Sequence, residues 1–70
     1  MTIRDLIEQF EIQGKFIVKK WSDKYETYTT LVEGDDFEYE KHKIKNKYLD
    51  AEITYMYAAG NTLNIEVRMY

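Results

Sequence analysis

The spacing of apolar residues changes period along the chain. Ile3, Leu6, Ile7 and Phe10 recur at i, i+3, i+4 and i+7, which puts all four on one stripe of a helix. Leu63, Ile65, Val67 and Met69 instead alternate with Asn64, Glu66, Arg68 and Tyr70, the pattern of a strand with one buried face. Together the two periods predict an α+β domain.

The stretches between supply the remaining elements. Thr2 is placed to cap a helix over residues 3–10, and Asp5, three residues on, completes a variant of the capping box at the positive end of the helix dipole. Gly14 interrupts the helical pattern, and residues 15–21, rich in aromatic and β-branched side chains, predict a first strand. Ser22, Asp23 and Lys24 form a turn, residues 25–32 return as a second strand, and Gly34 and Asp35 end it. Residues 36–50 are ambiguous: Phe37, Ile44 and Tyr48 suit a helix face, whereas Phe37 and Tyr39 also suit alternation. The reading adopted is a loop followed by a short helical turn over residues 45–49. Ala51, Ile53, Tyr55 and Tyr57 then alternate with Glu52, Thr54 and Met56, and Gly60-Asn61 precedes the last alternating run, a second hairpin.

The expected architecture over residues 1–70 is a single domain. It has an N-terminal helix packed on a mostly antiparallel four-stranded sheet, with a possible short helical turn between the two hairpins. One sheet face carries Ile53, Tyr55, Tyr57, Leu63, Ile65 and Val67 against the helix, and the other carries Thr54, Met56, Glu66 and Arg68. Trp21 shares a face with Ile17 and Lys19, partly exposed, covering the hairpin against Tyr25, Tyr28 or the chain terminus. The C-terminal strand is read as a sheet edge open to strand addition or dimerisation.

Size and composition then narrow the function. Seventy residues make a small core, because a chain this short buries only about 60% of the surface its unfolded form exposes. Several of the seven tyrosines are therefore expected to line that core with their hydroxyls reaching water. With no cysteine there is no disulfide framework or thiolate site, and a single histidine excludes a histidine-rich zinc site within one chain. No apolar run approaches a membrane span, and no signal-peptide layout opens the chain, so a cytoplasmic protein is expected.

Charge is segregated more than the net of −3 suggests. Residues 22–40 hold seven acidic side chains against one lysine, a net of −6, and Lys41, Lys43, Lys45 and Lys47 follow with His42 among them. The block can be a solvated surface whose pairs contribute about 0–1 kcal/mol each. It can also be a contact surface, in which Glu33, Asp35, Asp36, Glu38 and Glu40 attract a basic groove on another protein. The lysine run can alternatively contact phosphates, with Tyr39 and Tyr48 stacking bases. Calcium binding is disfavoured because the carboxylate spacing does not match the EF-hand loop. Catalysis has little support: His42 sits among lysines without a nucleophile or orienting group, and no phosphate-cradling glycine loop, nucleophile elbow or metal-helix motif is present.

Four segments, Trp21-Ser22-Asp23, Leu31-Val32-Glu33-Gly34, the run from Tyr48 through Ile53, and Leu63-Asn64-Ile65-Glu66-Val67, resemble a pattern in small uncharacterised proteins of Gram-positive phages, plasmids and integrative elements. The resemblance covers most of the chain through structural motifs. It implies an accessory product and, by analogy of size and setting, an anti-defence (anti-CRISPR-like) inhibitor. The expectation is thus a non-enzymatic protein-binding module without a cofactor or metal, acting through the acidic surface on a protein partner such as a nucleic-acid-binding host protein. The alternatives are a nucleic-acid accessory protein using the lysine run, and a structural homodimer.

Overall fold

A computed structural model describes residues 1–69 and shows the α+β architecture. Helix α1 (Ile3–Gln9) starts at Thr2, whose side chain accepts from the Asp5 N–H at 3.2 Å while Asp5 accepts from the Thr2 N–H at 3.0 Å. This is the expected capping box. Strands β1 (Lys15–Ser22) and β2 (Thr27–Gly34) form the first hairpin, and β3 (Glu52–Ala59) and β4 (Thr62–Arg68) the second. Gly60, at φ +62°, takes the first central position of the second hairpin's tight turn, where a side chain would be strained.

The strand order is β2-β1-β4-β3, with β1 and β4 parallel at the centre. The C-terminal strand is therefore central rather than an edge, and β2 and β3 are the edges. Both its edges are paired, and Ile65 and Val67 on its inner face are buried in the core with Ile3, Leu6 and Phe37.

Residues 37–43 are helical where a loop was expected: α2 (Phe37–Glu40) runs into a 3₁₀ turn (Lys41–Lys43), followed by α3 (Asn46–Leu49), which matches the expected helical turn. Four residues cannot sustain a helix alone. Here Phe37 anchors the segment, fully buried, edge-on to Phe16 at 5.1 Å, with its N–H donating to the Gly14 carbonyl at 2.9 Å.

The helices cover one sheet face. Ile3 and Leu6 of α1, Phe16 and Val18 of β1, Ile65 and Val67 of β4, Phe37, Ile44 and Ala51 form the core. Phe10 caps the end of α1 in extended conformation and is half-exposed, so the helical stripe stops at Ile7. Tyrosine does not line the core as expected. Tyr25, Tyr28, Tyr39, Tyr55 and Tyr57 are exposed, Tyr48 is half-buried against the core, and Tyr70 lies outside the described residues.

The face assignment of β3 also differs from the alternation. A bulge between Ile53 and Tyr55 pairs Ile53 with Val67, but Tyr55 with Glu66 and Met56 with Ile65. One extra residue inverts the parity of everything after it. Tyr55 and Tyr57 consequently lie on the outer face with Glu66 and Asn64, and Met56 lies on the inner face. Leu63, Ile65 and Val67 face inward, as expected.

Candidate functional site

The carboxylates that the sequence brings forward separate into two groups. Glu38 accepts from the Ile12 N–H at 2.9 Å and from Lys41 Nζ at 2.9 Å, tying the segment before β1 to α2. The Ile12 hydrogen bond, and after it the Lys41 ammonium, hold the Glu38 carboxyl below its ordinary value. Glu40 folds back over the start of its own helix, where Oε2 accepts from the N–H of Asp35 at 2.8 Å and of Asp36 at 3.1 Å. Gly34 lies directly under this carboxylate: a Cβ there would overlap the Glu40 side chain. Glu38 and Glu40 are thus structural fasteners. Glu33, Asp35 and Asp36 are exposed and form the outward-facing acidic corner at the end of β2.

The lysine run does not present one charged surface. Lys41 pairs with Glu38, Lys43 lies over the Tyr39 ring at 5.0 Å, and Lys47 lies over the Tyr48 ring at 5.1 Å. Lys45 precedes α3 at its N-cap, and His42 is exposed. Tyr39 and Tyr48 are thereby each engaged by the lysine that was read as their companion in binding.

The outer sheet face carries the larger assembly of polar and aromatic groups. Across the sheet from β2 to β3, the register aligns Glu33, Ile17, Asn64 and Tyr57, then Thr30, Lys19, Glu66 and Tyr55. Trp21 and Tyr28 pair at its far end. Lys19 organises the middle: its Nζ donates to Tyr57 Oη at 2.9 Å and to Asn64 Oδ1 at 3.2 Å, and lies 4.6 Å from the centre of the Tyr28 ring. Tyr28 Oη donates to Glu66 at 2.8 Å, which raises the Tyr28 hydroxyl above its ordinary value. Trp21 meets Tyr28 edge-on at 5.0 Å, as expected, and its indole N–H donates to Asp23 at 2.8 Å. Trp21, Tyr28, Tyr55 and Tyr57 nevertheless remain 41–68% exposed.

This face combines aromatic surface with ring orientations fixed by hydrogen bonds at Trp21, Tyr28 and Tyr57. Rings held by hydrogen bonds lose little side-chain entropy when a partner covers them. The acidic corner adjoins it: Glu33 and Asp35 line a groove with Lys15, Ile17, Asn64 and Ala59. Among the described residues no group of three or more histidine or carboxylate side chains is placed to hold a metal ion. No helix among them is long and apolar enough to cross a membrane.

Sequence reasoning grouped Trp21 with Lys19 on one face of the first strand and placed Glu66 on the outer face, but sent Tyr55 and Tyr57 to the core. The signal that locates them is the bulge at Thr54, whose hydroxyl donates to the Glu66 carbonyl at 3.1 Å. Comparison of the chain with protein-family models, with curated proteins and with solved structures yields no match.

Proposed function

We propose that this chain is a non-enzymatic, cytoplasmic protein-binding module that docks its outer sheet face onto a partner bearing basic side chains. The observation that carries the reading is the aromatic face of Trp21, Tyr28, Tyr55 and Tyr57, exposed on the side of the sheet away from the helices, with Trp21, Tyr28 and Tyr57 held in place by hydrogen bonds. Tryptophan and tyrosine supply a large share of interface hot spots, where truncation costs about 2 kcal/mol or more. Glu33, Asp35 and Asp36 add the charge that attracts a basic partner and orients it. An accessory or anti-defence role in a mobile element is the setting we propose for such a contact.

The test starts from capture of proteins in a nuclease-treated lysate of a Gram-positive host on the immobilised chain, followed by binding kinetics with the purified candidate. Trp21→Ala with Tyr55→Ala is expected to speed dissociation, and Asp35→Lys with Asp36→Lys to slow association at low salt. Glu38 is left intact because its substitution would loosen the fold. A partner that binds all variants with unchanged rates, or no retained protein, overturns the proposal.

A further inference from the structure

The edge strand β3 is built like an interior strand. From Ile53 through Leu63 the sequence carries no charge, and all of β3 except Ile53 is exposed. Met56 points to the helix side of the sheet yet is 45% exposed, because the helices cover β1 and β4 and stop short of it. Natural edges are blunted by lysine, proline or a bulge. Here the bulge lies at the beginning of the strand, so residues 55–59 remain regular.

The main-chain groups of this edge follow from the turn. Ala59 and Thr62 flank the two-residue loop and exchange hydrogen bonds, so alternation leaves Met56 and Ala58 with N–H and C=O directed away from β4. The chain itself shows that the edge accepts a strand. Residues 1–3 run antiparallel beside residues 51–53, with the Ile53 N–H donating to the Met1 carbonyl at 2.7 Å. That segment occupies the edge only as far as Ile53, and the free remainder is centred on Tyr57.

We propose that β3 pairs antiparallel with β3 of a second copy about a two-fold axis at Tyr57, joining two sheets into one of eight strands. This register places Met56 opposite the partner's Ala58 and Ala58 opposite the partner's Met56. Each of these pairs exchanges both main-chain hydrogen bonds, and on the helix side a large side chain meets a small one. Tyr57 faces the partner's Tyr57 in the closer, non-hydrogen-bonded kind of pair on the outer face. A second copy is the occupant that fits, because the outward main-chain groups of Met56 and Ala58 lie symmetrically about Tyr57 and the segment is charge-free. Two protomers of net charge −3 therefore meet without like charges opposed in the pairing. The other edge is less suited: β2 is broken by a bulge between Thr30 and Val32.

Sedimentation equilibrium of the full chain from about 1 μM to about 1 mM reads the dimer directly. The wild-type chain is expected to dimerise reversibly. Met56→Lys and Ala58→Glu, each at a solvent-exposed position, are expected to weaken dimerisation about ten-fold or more, while the double variant M56K/A58E restores it by placing each lysine opposite the partner's glutamate. Circular dichroism establishes that each variant is folded, and Ala58→Pro, which removes only an outward N–H, provides a second disruption should either charged variant unfold. A wild-type chain that stays monomeric at about 1 mM, single variants that dimerise unchanged, or a double variant that fails to recover overturns the proposal.

Discussion

Replacing Gly34 by alanine is expected to destabilise the protein in the wild-type background and to stabilise it once Glu40 has been removed. A Cβ at position 34 would meet the Glu40 carboxylate, with Cδ at 2.7 Å and Oε1 at 2.8 Å, so the carboxylate must swing away. It then gives up its bonds to the Asp35 and Asp36 N–H groups, at 2.8 and 3.1 Å. Two such bonds contribute about 1–2 kcal/mol together at a partly exposed site. Against this, alanine restricts the unfolded chain and returns about 0.4–1 kcal/mol, because the backbone at Gly34 is not in the left-handed region. At the middle of both ranges the net is a loss of about 0.8 kcal/mol in the wild-type background. In Glu40→Ala the obstruction and both bonds are already gone, and Gly34→Ala should then gain about 0.4–1 kcal/mol. Urea unfolding followed by far-ultraviolet circular dichroism resolves this, since a slope near about 1 kcal/mol per M converts these energies into midpoint shifts of about 0.5–1 M of opposite sign. A Gly34→Ala shift of the same sign and size in both backgrounds would refute the placement of Glu40 over Gly34.

Three other outcomes are expected. Phe37→Ala should cost about 3–5 kcal/mol, a large part of the whole stability of a domain this small, so Phe37→Leu, expected to lower Tm by about 5–15 °C, is the readable variant; an unchanged Tm would mean that the helical connector is not anchored by the Phe16 contact. Asp5, through the Thr2 hydrogen bonds, and Glu38, through the Ile12 and Lys41 contacts, are held below their ordinary values, so their contribution is complete above about pH 5 and is lost as pH falls through the lowered values. Urea midpoints between about pH 7 and pH 3 should fall less steeply in Glu38→Gln than in the wild-type chain, and parallel curves would contradict the assignment. Tyr28 is raised by its bond to Glu66, so the bond's stabilisation is present below about pH 10 and is lost as pH rises through the raised value; ultraviolet titration should show a late phenolate step that Tyr28→Phe removes, and its persistence in that variant would count against the bond.

What was legible in the sequence was whatever depends on neighbours a few positions apart. The Thr2–Asp5 cap, β1, the Gly60 turn and the inward face of β4 all follow from local pattern. The bulges were not legible, because an inserted residue carries no composition of its own: Thr54 is as good a strand former as its neighbours, yet it turns Tyr55 and Tyr57 to the opposite face. The helical form of residues 37–43 was hidden for a related reason, since it depends on Phe37 meeting Phe16 rather than on propensity. The candidate site was half visible. Sequence displays a run of carboxylates, but only the folded chain shows Glu38 spent on the Ile12 amide and Glu40 on its own helix start, leaving Glu33, Asp35 and Asp36 facing outward.

The parallel pairing of β1 with β4 has a consequence for the order in which the molecule is made. Each hairpin closes locally within about 1–10 μs, but a two-stranded hairpin is at best marginally stable by itself. The sheet therefore persists only after β1 and β4, separated by most of the chain, have met at its centre. Val18 and Ile65, partners across that junction and both buried, are the pair whose truncation is expected to slow folding most. During synthesis β1 emerges before β4, and its inner edge stays unpaired until β4 arrives. That interval on the ribosome is when this chain is most exposed to misassociation, or to a chaperone.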